Sequence, residues 1–252
     1  MQFEILGPLR LTDAAGPVPL NGQRRRILLL ALLAHANAVV SIDELVDWLW
    51  PHRPPRSALT TLYAHISGLR RILEPQRSAW RRSGRLLTHP PGYVLRVEPD
   101  ELDALRFERL VLTAKPMLDA GDAEHAHQQL TEALGLWRGA ALADGAYVDA
   151  ARSEIARLEE LRLTAATLRV EASFALRRHL EMVPELTRLV AKHPLHERFY
   201  VQLMVALSRS GRRADALAVY RRARAVLARE LSVGPGRALR CAEAAILAGE
   251  VD

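Results

Sequence analysis

Residues 57–73 read SALTTLYAHISGLRRIL and residues 86–97 read LLTHPPGYVLRV; together these two stretches decide the fold. In the first, Leu59, Leu62, Ile66, Leu69 and Leu73 recur at alternating intervals of three and four. That spacing gathers apolar side chains on one helical face and predicts a helix from about Arg56 to Leu73. The other face carries Ser57, Thr60, Thr61, Ala64, Ser67, Gly68 and Arg71. It is small, polar and nearly free of acid, as a helix must be to lie against base edges in a major groove, whereas a merely solvated face usually mixes Glu with Lys. The second stretch predicts two short strands joined by a Pro-Pro-Gly turn. The run Arg77, Arg81, Arg82 and Arg85 leads into it. An arginine-bearing hairpin directly after such a helix is the arrangement of a winged helix-turn-helix.

Upstream of this helix, WPHRPPRS at 50–57 predicts a proline-rich loop. Before it, Ser41 followed by Glu44 forms a capping box, since each side chain can satisfy the other's backbone donor; the helix it opens runs to about Leu49. A Leu-rich helix, basic at its start, is predicted from about Gln23 to Ala36. The segments Phe3–Leu6, Leu9–Leu11 and Val18–Leu20, punctuated by Gly7-Pro8, Asp13 and Gly16-Pro17, predict a small antiparallel sheet. Glu98-Pro99-Asp100-Glu101 reads as a linker, which divides the chain into domains 1–98 and 99–252.

From Leu102 onward only helices are predicted, so the fold class is mainly α: a winged helix-turn-helix followed by an all-α domain. After Gly121 come Ala126, Leu130, Ala133 and Trp137; after Gly211 come Ala216, Tyr220, Ala223 and Leu227 at the same four offsets. This internal repeat has the small-large-small spacing by which paired helices stack in tetratricopeptide-like units; the plainer alternative is an Ala- and Leu-rich bundle. Asp149–Leu180 reads as one long helix bridging the copies, and the late Pro235 predicts an extended last helix.

The charge is unevenly placed. Residues 1–99 hold 13 Arg against 7 Asp and Glu, while residues 100–252 hold 22 Lys and Arg against 22 Asp and Glu. Positive charge confined to the first domain suggests a polyanion, because phosphate contacts release counterions. The longest apolar run, Ile27–Ala34, is too short to span a bilayer, and no basic-then-apolar leader opens the chain, so a cytoplasmic protein is expected. A single cysteine, Cys241, excludes an intramolecular disulfide and a cysteine-based zinc site, and reads as a small core residue. The phosphate-binding, dinucleotide, nucleophile-elbow and HExxH motifs of enzymes are absent. His193 and His196 lack a third ligand at helical spacing, so no metal or cofactor is expected and catalysis is disfavoured. The alternative in another class is a helical-repeat protein-binding scaffold with only weak, non-specific DNA affinity, against which the charge asymmetry argues. No receiver domain with a phospho-acceptor Asp is encoded in the chain.

Taken together, FEILGPLRL, LLLALLAHANAVVSIDELVDWLWP, SALTTLYAHISGLRRIL, THPPGYVL, GDAEHAHQQLTEALGLWRGAAL, RLEELRL, HPLHERFYVQLMVALSRSGRRADALAVYRRAR and ELSVGPGRAL, in this order and spacing, resemble the Streptomyces antibiotic regulatory protein family, small activators of secondary-metabolite gene clusters. The resemblance implies an OmpR-type winged helix followed by a bacterial transcriptional activation domain. It also implies two copies bound head to tail as a homodimer on double-stranded DNA, on direct repeats spaced by roughly 10 bp, and recruitment of RNA polymerase. By analogy Thr60, Thr61, Ser67 and Arg71 would face the groove, Arg24, Arg25 and Arg70 would meet phosphates, and Arg82, Arg85 or Tyr93 would support the wing. The loop Trp50–Pro55 would touch polymerase, chiefly through Trp50, His52 and Arg53. The chain departs from the pattern at Gly68, where a long basic residue is usual, and at Tyr63, where Gln is common and where an aromatic ring could contact a thymine methyl. Gly68 also costs helix propensity, about 1 kcal/mol against Ala, which points either to a close approach there or to sequence drift. Larger relatives append an ATPase module; with this chain ending at Asp252, regulation, dimerisation or polymerase contact is expected of the helical domain.

Overall fold

In a computed structural model of the chain, residues 1–75 and 84–250 are described. Strands β1 (Gln2–Glu4), β2 (Arg10–Asp13) and β3 (Gly16–Pro17) form an antiparallel sheet in that order, with Phe3 opposite Leu11 and Asp13 opposite Gly16. The third strand starts two residues before the expected Val18. The reversal is tightened by Asp13, whose Oδ1 accepts the Ala15 N–H at 2.8 Å, an Asx turn that brings Gly16 straight back into the ladder.

Helix α1 (Gln23–Ala34) buries every residue from Ile27 to Leu33. It therefore has no polar face after its first turn, as befits a helix covered all round. Its cover comes from α2 (Ile42–Leu49), α3 (Ala58–Leu73), β6 (Gly92–Leu95) and the 3₁₀ turn Ala143–Gly145. The capping box forms at α2: Ser41 Oγ accepts the Glu44 N–H at 3.2 Å, and Glu44 Oε2 accepts the Ser41 N–H at 2.9 Å. The predicted hairpin is β5 (Leu86–His89) paired with β6, and a two-residue strand β4 (Val40–Ser41), too short to stand out in the sequence, joins the other side of β6. This pairing requires Gly92, because a Cβ there would lie 1.8 Å from the Val40 carbonyl oxygen. Along α3, Leu62, Ile66, Leu69 and Leu73 are buried as the periodicity requires, but Leu59 is 49% exposed. The first turn of α3 overhangs the core, and Ala58 takes the buried place instead.

Contacts divide the chain into two compact units, 1–112 with 132–163, and 113–131 with 164–252. Within the first unit a seam of hydrogen bonds ties the 5–9 strand connection to later segments of the chain. The Asp103 carboxylate accepts the N–H groups of Ile5 (2.8 Å) and Leu6 (2.9 Å), and Leu142 and Arg138 donate backbone N–H to the carbonyls of Ile5 and Leu6, both at 2.8 Å. Asp144 accepts the Leu9 N–H and pairs with Arg26, both at 2.6 Å. Burial pushes the Asp103 carboxyl up to about 6, against the opposing pull of these N–H groups and of Arg138. Burial pushes Glu101 up too, but hydrogen bonds from Arg85, from the Glu98 backbone and from the N-terminal ammonium outweigh it and hold that carboxyl at about 2.

The remaining helices are α4 (Asp103–Asp119), α5 (Ala123–Gly135), α6 (Arg152–Ala175), α7 (His179–Lys192), α8 (Glu197–Arg209), α9 (Arg213–Leu231) and α10 (Arg237–Ala248). All eight residues of the two-copy repeat are buried. Gly121 and Gly211 both end a helix in the left-handed conformation, at φ 86 and 76. At each, the glycine N–H bonds to the carbonyl three residues back and the next N–H to the carbonyl four residues before the glycine, a closure of the Schellman type. The same closure occurs at Arg177, φ 61. Met182 and Leu186, at the offsets of five and nine, are buried there. The helix expected over 149–180 is therefore interrupted: it runs from Arg152 to Ala175 and a third repeat begins, hidden in the sequence because Arg stands where the other copies have Gly. Helix α9 is extended, at 19 residues. Cys241 is exposed rather than buried, since α10 turns only Leu239 and Ile246 inward.

Two outcomes follow for stability. Leu62→Ala lowers unfolding free energy by about 2–5 kcal/mol, while Leu59→Ala changes it by less than about 0.5 kcal/mol, as chemical denaturation of the full chain will show. Because the Glu101 carboxyl is lowered from 4.5 to about 2 in the folded chain, its contribution is present above the unfolded value and disappears as pH falls through the folded one. Thermal melts should thus show Glu101→Gln less stable than the wild type near neutrality, with the gap closing as pH falls from 4.5 toward 2.

Candidate nucleic-acid interface

The outer face of α3 is built by rotation alone. Ser57, Thr60, Tyr63, Ala64, Ser67 and Arg71 are exposed, and Thr61 and Arg70 are half-buried. The described residues of α3 and of the β5–β6 hairpin include no Asp or Glu, so no fixed negative charge on these elements opposes a polyanion. Leu59 adds an exposed apolar side chain one turn before Tyr63, which is itself 46% exposed. The sequence reading had assigned Leu59 to the core, since its spacing is that of the core series.

Gly68 does not belong to this face. It is buried, and a Cβ there would meet Nε and Nη2 of Arg25 at 3.3 Å. The guanidinium of α1 lies across α3 at the glycine. The three consecutive arginines of α1 have separate fates because the helix turns about 100° per residue. Arg24 is exposed and stands 5.6 Å from the Trp50 ring, Arg25 is half-buried over Gly68, and Arg26 is tied to Asp144. His65, which sequence reasoning passed over, sits near them. Burial, and then the charges of Arg25 and Arg24, hold its imidazole below the ordinary value.

Arg70 braces the hairpin against α3. Its Nε donates to the Leu86 carbonyl at 3.0 Å, its Nη2 to Thr88 Oγ1 at 2.8 Å, and its guanidinium stands 5.7 Å from the Tyr93 ring centre. These bonds commit it to the hairpin. Tyr93 lies buried in β6 beneath it, and burial pushes the phenol up. Arg85 also turns inward: it pairs with both oxygens of Glu101 (2.6 and 2.9 Å), 6.0 Å from the Phe3 ring, which corrects its expected place on the interface. Arg77, Arg81 and Arg82 lie outside the described residues.

In the loop before α3, His52 and Arg53 are exposed, but Trp50 is only 8% exposed and closes the end of α2, its backbone N–H bonded to the Val46 carbonyl at 2.8 Å. Trp50 is thus core rather than a surface for a partner. Among the described residues no group of His, Cys, Asp or Glu is arranged to hold a metal, and no helix is long and apolar enough to cross a membrane. The chemistry on offer is that of recognition: a narrow acid-free helix face, bordered by Arg24 and by a hairpin fixed to the helix through Arg70.

Comparisons with known proteins identify the family. Residues 17–95 match the family described as transcriptional regulatory protein, C terminal, and residues 102–247 match the bacterial transcriptional activator domain. The regulatory protein DnrI of Streptomyces peucetius is 38% identical over 250 residues, spanning 98% of this chain and 92% of its own length. The transcriptional regulator RedD of Streptomyces coelicolor is 38% identical over 248 residues, covering 98% of this chain and 71% of RedD. The structure of Mycobacterium tuberculosis EmbR in complex with a low-affinity phosphopeptide superposes with a TM-score of 0.94 at 32% identity, over 99% of this chain and 65% of EmbR. With a winged helix and an activator domain in the same order as in these relatives, the chain belongs to the Streptomyces antibiotic regulatory protein family of DNA-binding transcription activators.

Proposed function

We propose that the protein activates an antibiotic or other secondary-metabolite gene cluster by binding direct repeats beside a promoter as two head-to-tail copies and recruiting RNA polymerase. The observation that carries the reading is the exposed, acid-free outer face of α3. Thr60, Ser67 and Arg71 read base edges, with Thr61 at the margin; Ser57 and Ala64 allow close approach; Tyr63 packs on a thymine methyl. Arg24 meets phosphate, and Arg70 serves by aiming the wing. Residues 1–98 read DNA in this scheme, and 99–252 regulate or assemble the activator. His52 and Arg53, exposed in the loop before α3, meet polymerase. The protein acts in the cytoplasm and needs no cofactor.

Selection of chromosomal fragments by the purified protein, then footprinting at two salt concentrations, tests the reading. A shared direct repeat near promoters, with affinity falling steeply in salt, is the expected result; flat enrichment overturns it. On the selected fragment Arg71→Ala should weaken binding by about tenfold, in the range of a lost base contact. Arg70→Lys, which cannot make both hairpin bonds at once, should weaken binding although it retains the charge. The paired change His52→Ala with Arg53→Ala should leave the footprint intact and abolish activation in transcription assays with purified polymerase.

A further inference from the structure

Gly68 stands in the middle of α3, where glycine weakens a helix, and its backbone is not left-handed. The reason for the missing side chain is on the neighbouring helix. The three atoms nearest to a Cβ at this position would be Nε, Nη2 and Cζ of Arg25, at 3.3, 3.3 and 3.4 Å, so that a side chain at residue 68 would displace the guanidinium by a few tenths of an ångström or more. Among the described residues, Arg25 Nε is buried without a hydrogen-bond partner. Gly68 is itself buried, one turn from the exposed Ala64 and Arg71.

From this we infer that Gly68 is a positioning residue. By carrying no side chain it lets Arg25 of α1 lay its guanidinium along the recognition helix, where it contacts a DNA phosphate bordering the groove. A guanidinium already packed in place loses little freedom on binding. The inference rests on α3 being the groove-facing helix, as proposed above.

The test is a double-mutant cycle on the full chain, read as affinity for the selected DNA fragment and as its salt dependence. Arg25→Ala and Gly68→Leu should each weaken binding by about tenfold, and the double variant by about tenfold rather than about a hundredfold. Both single variants should lower the salt slope by about 0.9, the share of one phosphate contact. Additive losses would show that Gly68 faces DNA itself and overturn the inference, as would unchanged binding by Gly68→Leu. Should the leucine variant fail to fold, Gly68→Ala, which favours helix, takes its place. It should weaken binding slightly in the wild-type background and not at all beside Arg25→Ala, and a loss in the latter overturns the inference. Arg71→Ala, run alongside, separates the two claims. If it leaves binding intact, the reading of α3 fails and this inference with it; if it weakens binding while Gly68→Leu does not, only the role of Gly68 fails.

Discussion

Seven consecutive buried residues in α1, Ile27–Leu33, set the terms for the first compact unit. A helix with no polar side after its first turn has to be covered from every direction, because its exposed leucines would each forfeit roughly 1.5–3 kcal/mol of burial. The helices α2 and α3 and the strand β6 cover part of it, and the 3₁₀ turn at Ala143–Gly145 covers more. The N-terminal winged helix and the segment 132–163 therefore share one core, although the chain separates them by the whole of α4 and most of α5. The hydrogen bonds from Asp103, Leu142, Arg138 and Asp144 to the 5–9 strand connection satisfy the backbone along that shared border, as buried peptide groups require.

The same packing sorts the arginines. Their number in the first domain explains attraction to a polyanion, yet several are structural. Arg26 and Arg85 are neutralised by Asp144 and Glu101, and Arg70 fastens the hairpin to α3. Arg24 and Arg71 are left exposed. Fewer cations face outward than the count suggests, but Arg24 and Arg71 are borne by helices whose inner faces are buried. Such a site loses little conformational freedom on binding.

The helical repeats show a related economy. Three chain reversals, at Gly121, Arg177 and Gly211, use the same pair of closing hydrogen bonds. Glycine adopts the left-handed conformation without cost, and arginine pays about 1–2 kcal/mol to do so. The buried Met182 and Leu186 that follow Arg177 supply packing to offset it. A repeat whose turn residue is atypical can thus persist in the fold while vanishing from the pattern.

The sequence alone determined the helices of the first domain, the capping box at Ser41, the hairpin at Pro90-Pro91-Gly92, the two glycine-marked repeats and the outward set Thr60, Ala64, Ser67 and Arg71. All of these follow from local rules: a period of 3.6, a donor three residues away, a turn residue that tolerates its backbone angles. What only the tertiary structure decided is which polar groups meet one another: Arg85 with Glu101, Arg70 with the β5 carbonyl, Arg26 with Asp144, Arg25 over Gly68. It also decided that Leu59 overhangs and Trp50 is enclosed. Those outcomes join residues distant in the chain, and periodicity carries no information about what stands opposite a helix face. An arginine reads the same in sequence whether a carboxylate or a phosphate awaits it; burial and the nearest partner decide between the two.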